Sequence, residues 1–409
     1  MNVAVVRETY PGERRVALVP AVAPLLTKAG WQVFVESGAG DAAGFTDHDY
    51  EAAGAAIIEG REAAFQQAEV VLHVRALGAN PQAGRDDLEK LRPGQVVVGM
   101  CDPLGNPEAM RELADRKATV FALELMPRIS RAQSMDVLSS MATIAGYKAV
   151  LQAADQLPKL FPMLMTAAGT LLPAKVLVIG AGVAGLQAVA SARRLGAVVQ
   201  AYDVRPVVKQ QIESLGAKFV KLDLDTGDSE DQGGYAKQLT DEQIKAQQQQ
   251  LADIVAECDV CISTAAIPGK ASPVLIIADG VLRMRPGSVI VDLAAERGGN
   301  CELTKADQTV VEQGVTILGP TNLPSEVPQH ASQMYAKNLV TFLLCLTREG
   351  KLDIDLNDEV IRDTLAAKDG QVQSERLRDM LGLGPLVLPP AKPPLDHLVE
   401  DSGDSSSRG

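Results

Sequence analysis

The segment Val176-Leu-Val-Ile-Gly180-Ala-Gly182-Val-Ala-Gly185 decides the fold. An apolar run enters a GxGxxG turn, and a helical pattern over 183–195 follows. A lone GxGxxG is common; a strand before it and a helix after it make it a dinucleotide-binding fingerprint. Each glycine has its own task. Gly180 makes the tight turn, Gly182 lets the backbone approach a pyrophosphate, and Gly185 lets the helix pack close on the strand. The N–H groups and dipole of a helix beginning near Val183 then face the phosphates. The next strand, Val199-Gln-Ala-Tyr-Asp203, ends in an acid 23 positions after Gly180. An acid there accepts hydrogen bonds from the adenine-ribose hydroxyls and repels a 2′-phosphate, which favours NAD over NADP. Arg205 pulls the other way, since an arginine accommodates a phosphate.

Outward from the turn, strand patterns at 176–179, 199–202, 219–221, 260–263, 289–293 and 316–318 alternate with helical patterns at 183–195, 207–215 and 241–257. An earlier series puts strands at 2–6, 32–35, 70–74, 96–98 and 120–123, with helices at 21–29, 47–55, 61–68 and 107–116. Val-rich strands alternating with helices imply parallel βαβ units covered on both faces. The predicted fold is therefore α/β, with two Rossmann-like doubly wound parallel-sheet domains and a nucleotide cleft between them. A helix over 134–156 links them, and one over 330–347 returns to the first unit. The expected division is 1–137 plus 325–380 for the first lobe, 138–324 for the NAD-binding lobe, and a Pro-rich disordered tail over 381–409. The first lobe opens with Arg7-Glu-Thr-Tyr-Pro-Gly-Glu-Arg-Arg15 where a glycine turn would be needed, so one dinucleotide is expected, not two. The insertion 223–231 holds five acids and no base, and with Gly233, Gly234 and Tyr235 it reads as a mobile lid.

Composition narrows the function. The 409 residues include 52 acids and 39 bases, a net of −13, and only 3% aromatics. That opposes nucleic-acid binding, which needs basic side chains and stacking platforms. No apolar run is long enough for a direct membrane span, and no secretory leader is visible, so a cytoplasmic protein is expected. The five Cys are scattered; Cys258 and Cys261 form a CxxC without a second pair, so they read as core and no metal site is predicted.

A second segment, Pro127-Arg128-Ile-Ser-Arg131-Ala-Gln133-Ser-Met-Asp136-Val-Leu-Ser139-Ser140, concentrates polar side chains at the lobe junction. Gln133 offers a donor and an acceptor suited to a carboxamide, and Asp136 and Ser139, three apart, would share a helix face. Helix capping alone would also account for such a polar start.

These stretches, with TAAIPGKASPVL and VDLAAERGGN, resemble the NAD(H)-binding component of proton-translocating NAD(P) transhydrogenases from residue 1 to about residue 381. The resemblance implies a homodimer that binds NAD(H), with NADP(H) on a partner beta subunit and a membrane subunit that moves protons. It implies a cytoplasmic chain held at the inner membrane through those partners, in the split form of the enzyme. It assigns Gly180, Gly182, Val183, Asp203 and Arg205 to the adenosine and pyrophosphate half, with Ala181, Gly185 and Val204 beside them. Gly234 and Tyr235 match the closing loop, Thr264 and Ala265 the adjacent strand end, and Arg128, Gln133, Asp136 and Ser139 the nicotinamide end. No general acid or base is required, because hydride transfer needs approach and orientation of two rings.

Alanine dehydrogenase shares the pattern and is the rival. Arg15 would match its substrate-carboxylate arginine, but Arg75 and Cys101 stand where that family needs a lysine and a histidine. An always-charged arginine does not replace a titrating lysine. A non-catalytic NAD-binding subunit is the third reading.

Overall fold

The computed structural model describes residues 1–223, 240–267 and 269–386. The first sheet takes β1 (Asn2–Val5), β2 (Gln32–Glu36), β3 (Ala56–Ile58), β4 (Val70–Arg75), β5 (Val96–Met100) and β6 (Thr119–Ala122) in the parallel order β3-β2-β1-β4-β5-β6. A separate hairpin, β7 (Leu164–Thr166) and β8 (Gly169–Leu171), precedes the second sheet. That sheet contains β9 (Lys175–Ile179), β10 (Val198–Tyr202), β11 (Lys218–Phe219), β12 (Val260–Ser263), β13 (Val289–Asp292), β14 (Thr309–Glu312) and β15 (Val315–Leu318). Its order, β11-β10-β9-β12-β13-β15-β14, has the same winding as the first sheet, with β14 added at the edge. After a small hairpin of β16 (Thr347–Arg348) and β17 (Lys351–Leu352), the chain returns to the first sheet, where β18 (Leu365–Lys368) and β19 (Gln371–Val372) extend it beyond β6.

The strand residues alternate between cores on the two faces of each sheet. Val3, Val5, Val70 and Leu72 enter one core, and Ala4 and Val71 the other. In the second sheet Val176, Val178, Val260 and Ile262 oppose Leu177, Ile179 and Cys261. Burial on both faces is why these strands read as continuous apolar runs.

The doubly wound parallel sheets are as expected, and two details differ. The sheets are not wholly parallel: β14 pairs antiparallel with β15, and β18 with both β6 and β19. The cause is local. Gln313-Gly314 and Asp369-Gly370 both sit at positive φ, as a two-residue hairpin turn requires, so each pair of strands must reverse. The linking helix starts later than expected, at Val137–Gln156, after a short 3-10 segment over Ser130–Met135. Asp136 is its extended N-cap and accepts from the Ser139 N–H at 2.9 Å.

The linking helix belongs to both lobes. Val137, Met141 and Ile144 pack in the first core, and Ala149, Val150 and Ala153 in the second. At Gly146 it crosses the fingerprint helix, Val183–Arg194, so closely that any Cβ would meet the Ala184 carbonyl. The return helix, Pro328–Cys345, buries Tyr335, Leu339 and Phe342 in the first core. No helix among the described residues is long and apolar enough to cross a membrane.

Candidate functional site

The fingerprint turn leaves β9 at the switch point, where β10 lies on one side and β12 on the other. Gly180 has φ +93°, and a Cβ there would lie 2.7 Å from Thr264 Oγ1. Gly185 faces the Gly180 carbonyl so closely that no Cβ fits. Gly182 is different: a Cβ there meets no atom of the described residues within 4 Å. Two glycines are thus demanded by the protein's own packing, and the third faces open space. Gly182 is also the N-cap of the fingerprint helix, and it has no side chain to satisfy the first N–H groups. Val183, the first helical residue, is 44% exposed. Open N–H groups at the end of a 12-residue helix, with room for backbone approach, suit a pyrophosphate. The cradle therefore fits a dinucleotide.

Asp203 follows β10 and is buried against this turn. Its Oδ2 accepts from the Ala181 N–H at 2.7 Å, and Arg205 folds back on it through its backbone N–H and its guanidinium. Val204 between them is half-buried. Across the crevice Thr264 Oγ1 donates to the Gly180 carbonyl at 3.1 Å, and the Ala265 N–H donates to Asn300 Oδ1 at 2.9 Å. Gly234 and Tyr235, with most of the acidic insertion, lie outside the described residues.

The other candidate group is organised separately. Asp136 and Ser139 are in contact, Ser139 Oγ donating to Asp136 Oδ2 at 2.5 Å. The contact is a cap rather than two neighbours on one helical face, because Asp136 is not itself helical. Gln133 and Arg128 are exposed. Arg131 is bound to Asp358 by two hydrogen bonds of 2.8 and 2.5 Å, which fastens this segment to the returning chain. From the Asp136 cap to the Gly146 crossing the helix rises about 15 Å, so one rigid helix spaces this group from the glycine turn.

The first lobe has a matching switch point between β1 and β4, and it is filled from within. Glu8 accepts from the Val74 and Arg75 N–H groups at 2.6 and 3.0 Å, where the second lobe leaves its turn open. Desolvation and the neighbouring Glu13 push the Glu8 carboxyl up to about 8. Arg15, 3% exposed, donates to Glu13 from Nε at 2.7 Å and from Nη2 at 2.6 Å. Arg75 Nε and Asn322 Nδ2 reach the same carboxylate at 3.2 and 3.0 Å. Burial alone would raise the Glu13 carboxyl; the hydrogen bonds and charge of Arg15, with Asn322, outweigh it and hold it at about 2. Arg75 also lies over the Tyr10 ring, 4.4 Å from its centroid. Cys101 is fully buried and its thiol is pushed well up by desolvation. Ion pairs Arg75–Glu296 and Asp102–Arg297 join the first lobe to the second.

Comparison with known proteins matches residues 4–145 to the family described as Alanine dehydrogenase/PNT, N-terminal domain, and residues 149–375 to Alanine dehydrogenase/PNT, C-terminal domain. The chain belongs to the alanine dehydrogenase/PNT family. Within that family it sides with the transhydrogenase alpha subunits. It is 46% identical over 375 residues to the first of the chains that make up NAD(P) transhydrogenase subunit alpha in Rhodospirillum rubrum, covering 91% of this chain and 97% of the relative. Alanine dehydrogenase of Halomonas elongata is 30% identical over 390 residues, covering 94% and 97%. A transhydrogenase structure from Sinorhizobium meliloti superposes with a TM-score of 0.79 at 41% identity, covering 92% of this chain and all of that one. An L-alanine dehydrogenase structure gives 0.77 at 26%, covering 93% and 99%.

Both branches of the alanine dehydrogenase/PNT family thus share this backbone, and side chains must separate them. Sequence reasoning missed two supports of the cradle. Asp292, fully buried at the end of β13, accepts from Ser263 Oγ, Thr304 Oγ1 and the N–H groups of Ala294, Asn300 and Cys301. Asn300, also fully buried, holds both the N–H and the carbonyl of Ala265. The signal was an acid closing an apolar strand, Val289-Ile-Val-Asp292, just as Asp203 closes β10.

Proposed function

We propose that this chain is the NAD(H)-binding subunit of a proton-translocating transhydrogenase, exchanging hydride with NADP(H) held by a partner beta subunit. The bound dinucleotide supplies the hydride at its nicotinamide ring. The chain's own residues bind and orient. Gly182 and the fingerprint helix N-terminus receive the pyrophosphate, and Asp203 receives the adenine ribose. The Arg128, Gln133, Asp136 and Ser139 group fixes the nicotinamide end, with the Asp136–Ser139 cap holding that segment in place. Orientation is where the rate resides, since a small misplacement of reacting rings can cost on the order of a hundredfold.

The observation that carries this reading is the buried Arg15–Glu13 pair. An amino-acid dehydrogenase needs that arginine free for a substrate carboxylate. Here a carboxylate from the same chain already takes its Nε and Nη2 edge, and Arg75 and the buried Cys101 offer no titrating amine or imidazole. The two lobes would accordingly be 1–137 with 325–380, and 138–324. The β7–β8 hairpin supports a homodimer: it stands apart from both sheets and leaves Met165 and Leu172 78% and 71% exposed. A membrane subunit completes the assembly and keeps this chain peripheral to the inner membrane on the cytoplasmic side. The test is hydride exchange from NADH to an NADP-loaded partner subunit, run beside oxidative deamination of L-alanine. Transfer without deamination is expected; deamination of alanine would overturn the reading.

A further inference from the structure

An ionised carboxylate has about four acceptor positions, and the chain itself fills all of those on Asp203. Oδ2 takes the Ala181 N–H at 2.7 Å and Arg205 Nη2 at 2.9 Å; Oδ1 takes the Arg205 N–H and Arg205 Nε, each at 2.9 Å. The two side chains are only 5% and 18% exposed. A ribose diol presents two O–H donors and meets a carboxylate with no vacant acceptor. The four donors are not equivalent. The Ala181 and Arg205 N–H groups are backbone, set by the glycine turn and by the bend before the 3-10 segment Pro206–Val208. The other two belong to one guanidinium, which a side-chain rotation removes as a unit.

We propose that Arg205 is a built-in competitor for the ribose position on Asp203: the guanidinium fork occupies the two acceptors that the 2′- and 3′-hydroxyls take, and NAD(H) binds by displacing it. The inference rests on the NAD(H) reading above and adds a regulation to it. The exchange is two donors for two donors, so Asp203 stays satisfied in both states. In the empty state the buried carboxylate keeps a counter-charge. In the bound state the released guanidinium, which cannot lose its proton, stays beside the 2′ position. There it softens the repulsion that Asp203 alone would exert on a 2′-phosphate. Arg205 thus lowers affinity for NAD(H) and, at the same time, narrows discrimination against NADP(H).

The test is calorimetric titration of the full chain with NADH and NADPH, for wild type, Arg205→Met, Arg205→Lys and Asp203→Asn. Arg205→Met keeps both backbone donors and frees two acceptors, so NADH should bind about tenfold tighter, while NADPH binds no tighter or more weakly. Arg205→Lys, which replaces a fork with a single point charge, should fall between wild type and Met for NADH, and it carries the test should the Met variant fold poorly. Asp203→Asn should lose NADH affinity. Weaker or unchanged NADH binding in the Arg205 variants would overturn the inference and make the arginine a ligand contact or a bystander. A wild-type chain that binds no NADH would overturn the NAD(H) reading itself.

Discussion

Glu13→Gln removes one charge from the buried centre of the first lobe and leaves its partner behind. Arg15 is 3% exposed, and Glu13 holds it through two side-chain hydrogen bonds of 2.7 and 2.6 Å. Breaking a buried pair by neutralising one partner typically costs about 3–5 kcal/mol, because the remaining charge stays desolvated and unpaired. The acidity of Glu13 gives a second route to the magnitude. Its carboxyl is held at about 2 against an ordinary 4.5, a preference of about 3 kcal/mol for the ionised form in the folded state. The sign follows: this stability is fully present above about pH 4.5 and is lost as the pH falls through about 2. We therefore expect Glu13→Gln to lower unfolding free energy by about 3 kcal/mol at neutral pH, measured by urea denaturation. The double variant Glu13→Leu with Arg15→Met removes both charges. It should cost less than the single change, leaving mainly Arg75 and Asn322 to find water. A loss below about 1 kcal/mol for the Gln variant, or a double variant costlier than the single one, would refute the account of this pair as a buried, mutually dependent unit.

Three further outcomes follow from the same geometry. Gly182→Ala meets no atom of the described residues and has φ of −74°, so stability should change by less than about 1 kcal/mol while NADH binding falls sharply. Gly185→Ala drives a methyl into the Gly180 carbonyl and should cost about 1–3 kcal/mol of stability; equal stability loss in both variants, by thermal melts beside NADH titration, would deny the division of labour. The Glu8 carboxyl is raised from 4.5 to about 8, so its contribution is present below about pH 4.5 and declines as the pH rises through about 8. Denaturation midpoints should fall between pH 5 and 9 for the wild type, and Glu8→Gln should flatten that slope. Gln133→Ala, at an exposed position, should change stability by less than about 0.5 kcal/mol yet slow hydride transfer in the reconstituted complex far more than it weakens NADH binding; a normal single-turnover rate would remove its orienting role.

Much of this molecule is written in short-range pattern. The Val-rich strands, the glycine turn and the acid closing Val199–Asp203 are local signals, because side-chain alternation, positive φ and helix N-terminal chemistry each act within a few residues. The β14–β15 and β18–β19 hairpins have a local signal that the sequence reading passed over, Gln313-Gly314 and Asp369-Gly370, whereas the antiparallel pairing of β18 with β6 is long-range. The Asp136 contact was legible only as two alternatives, a shared helix face or a cap, and the helix start at Val137 decided for the cap. What the chain order does not contain is which side chains meet across it. That Gly182 faces space while Gly185 faces a carbonyl depends on how a helix seats against a strand. That Arg15 is already paired depends on Glu13, a carboxylate it shares with Arg75, in a site closed by Asn322 about 300 residues away. Local sequence determined that a nucleotide fold exists here and where its turn lies. Only tertiary packing decided which charges are free to meet a ligand, because desolvation and pairing are properties of three-dimensional neighbours.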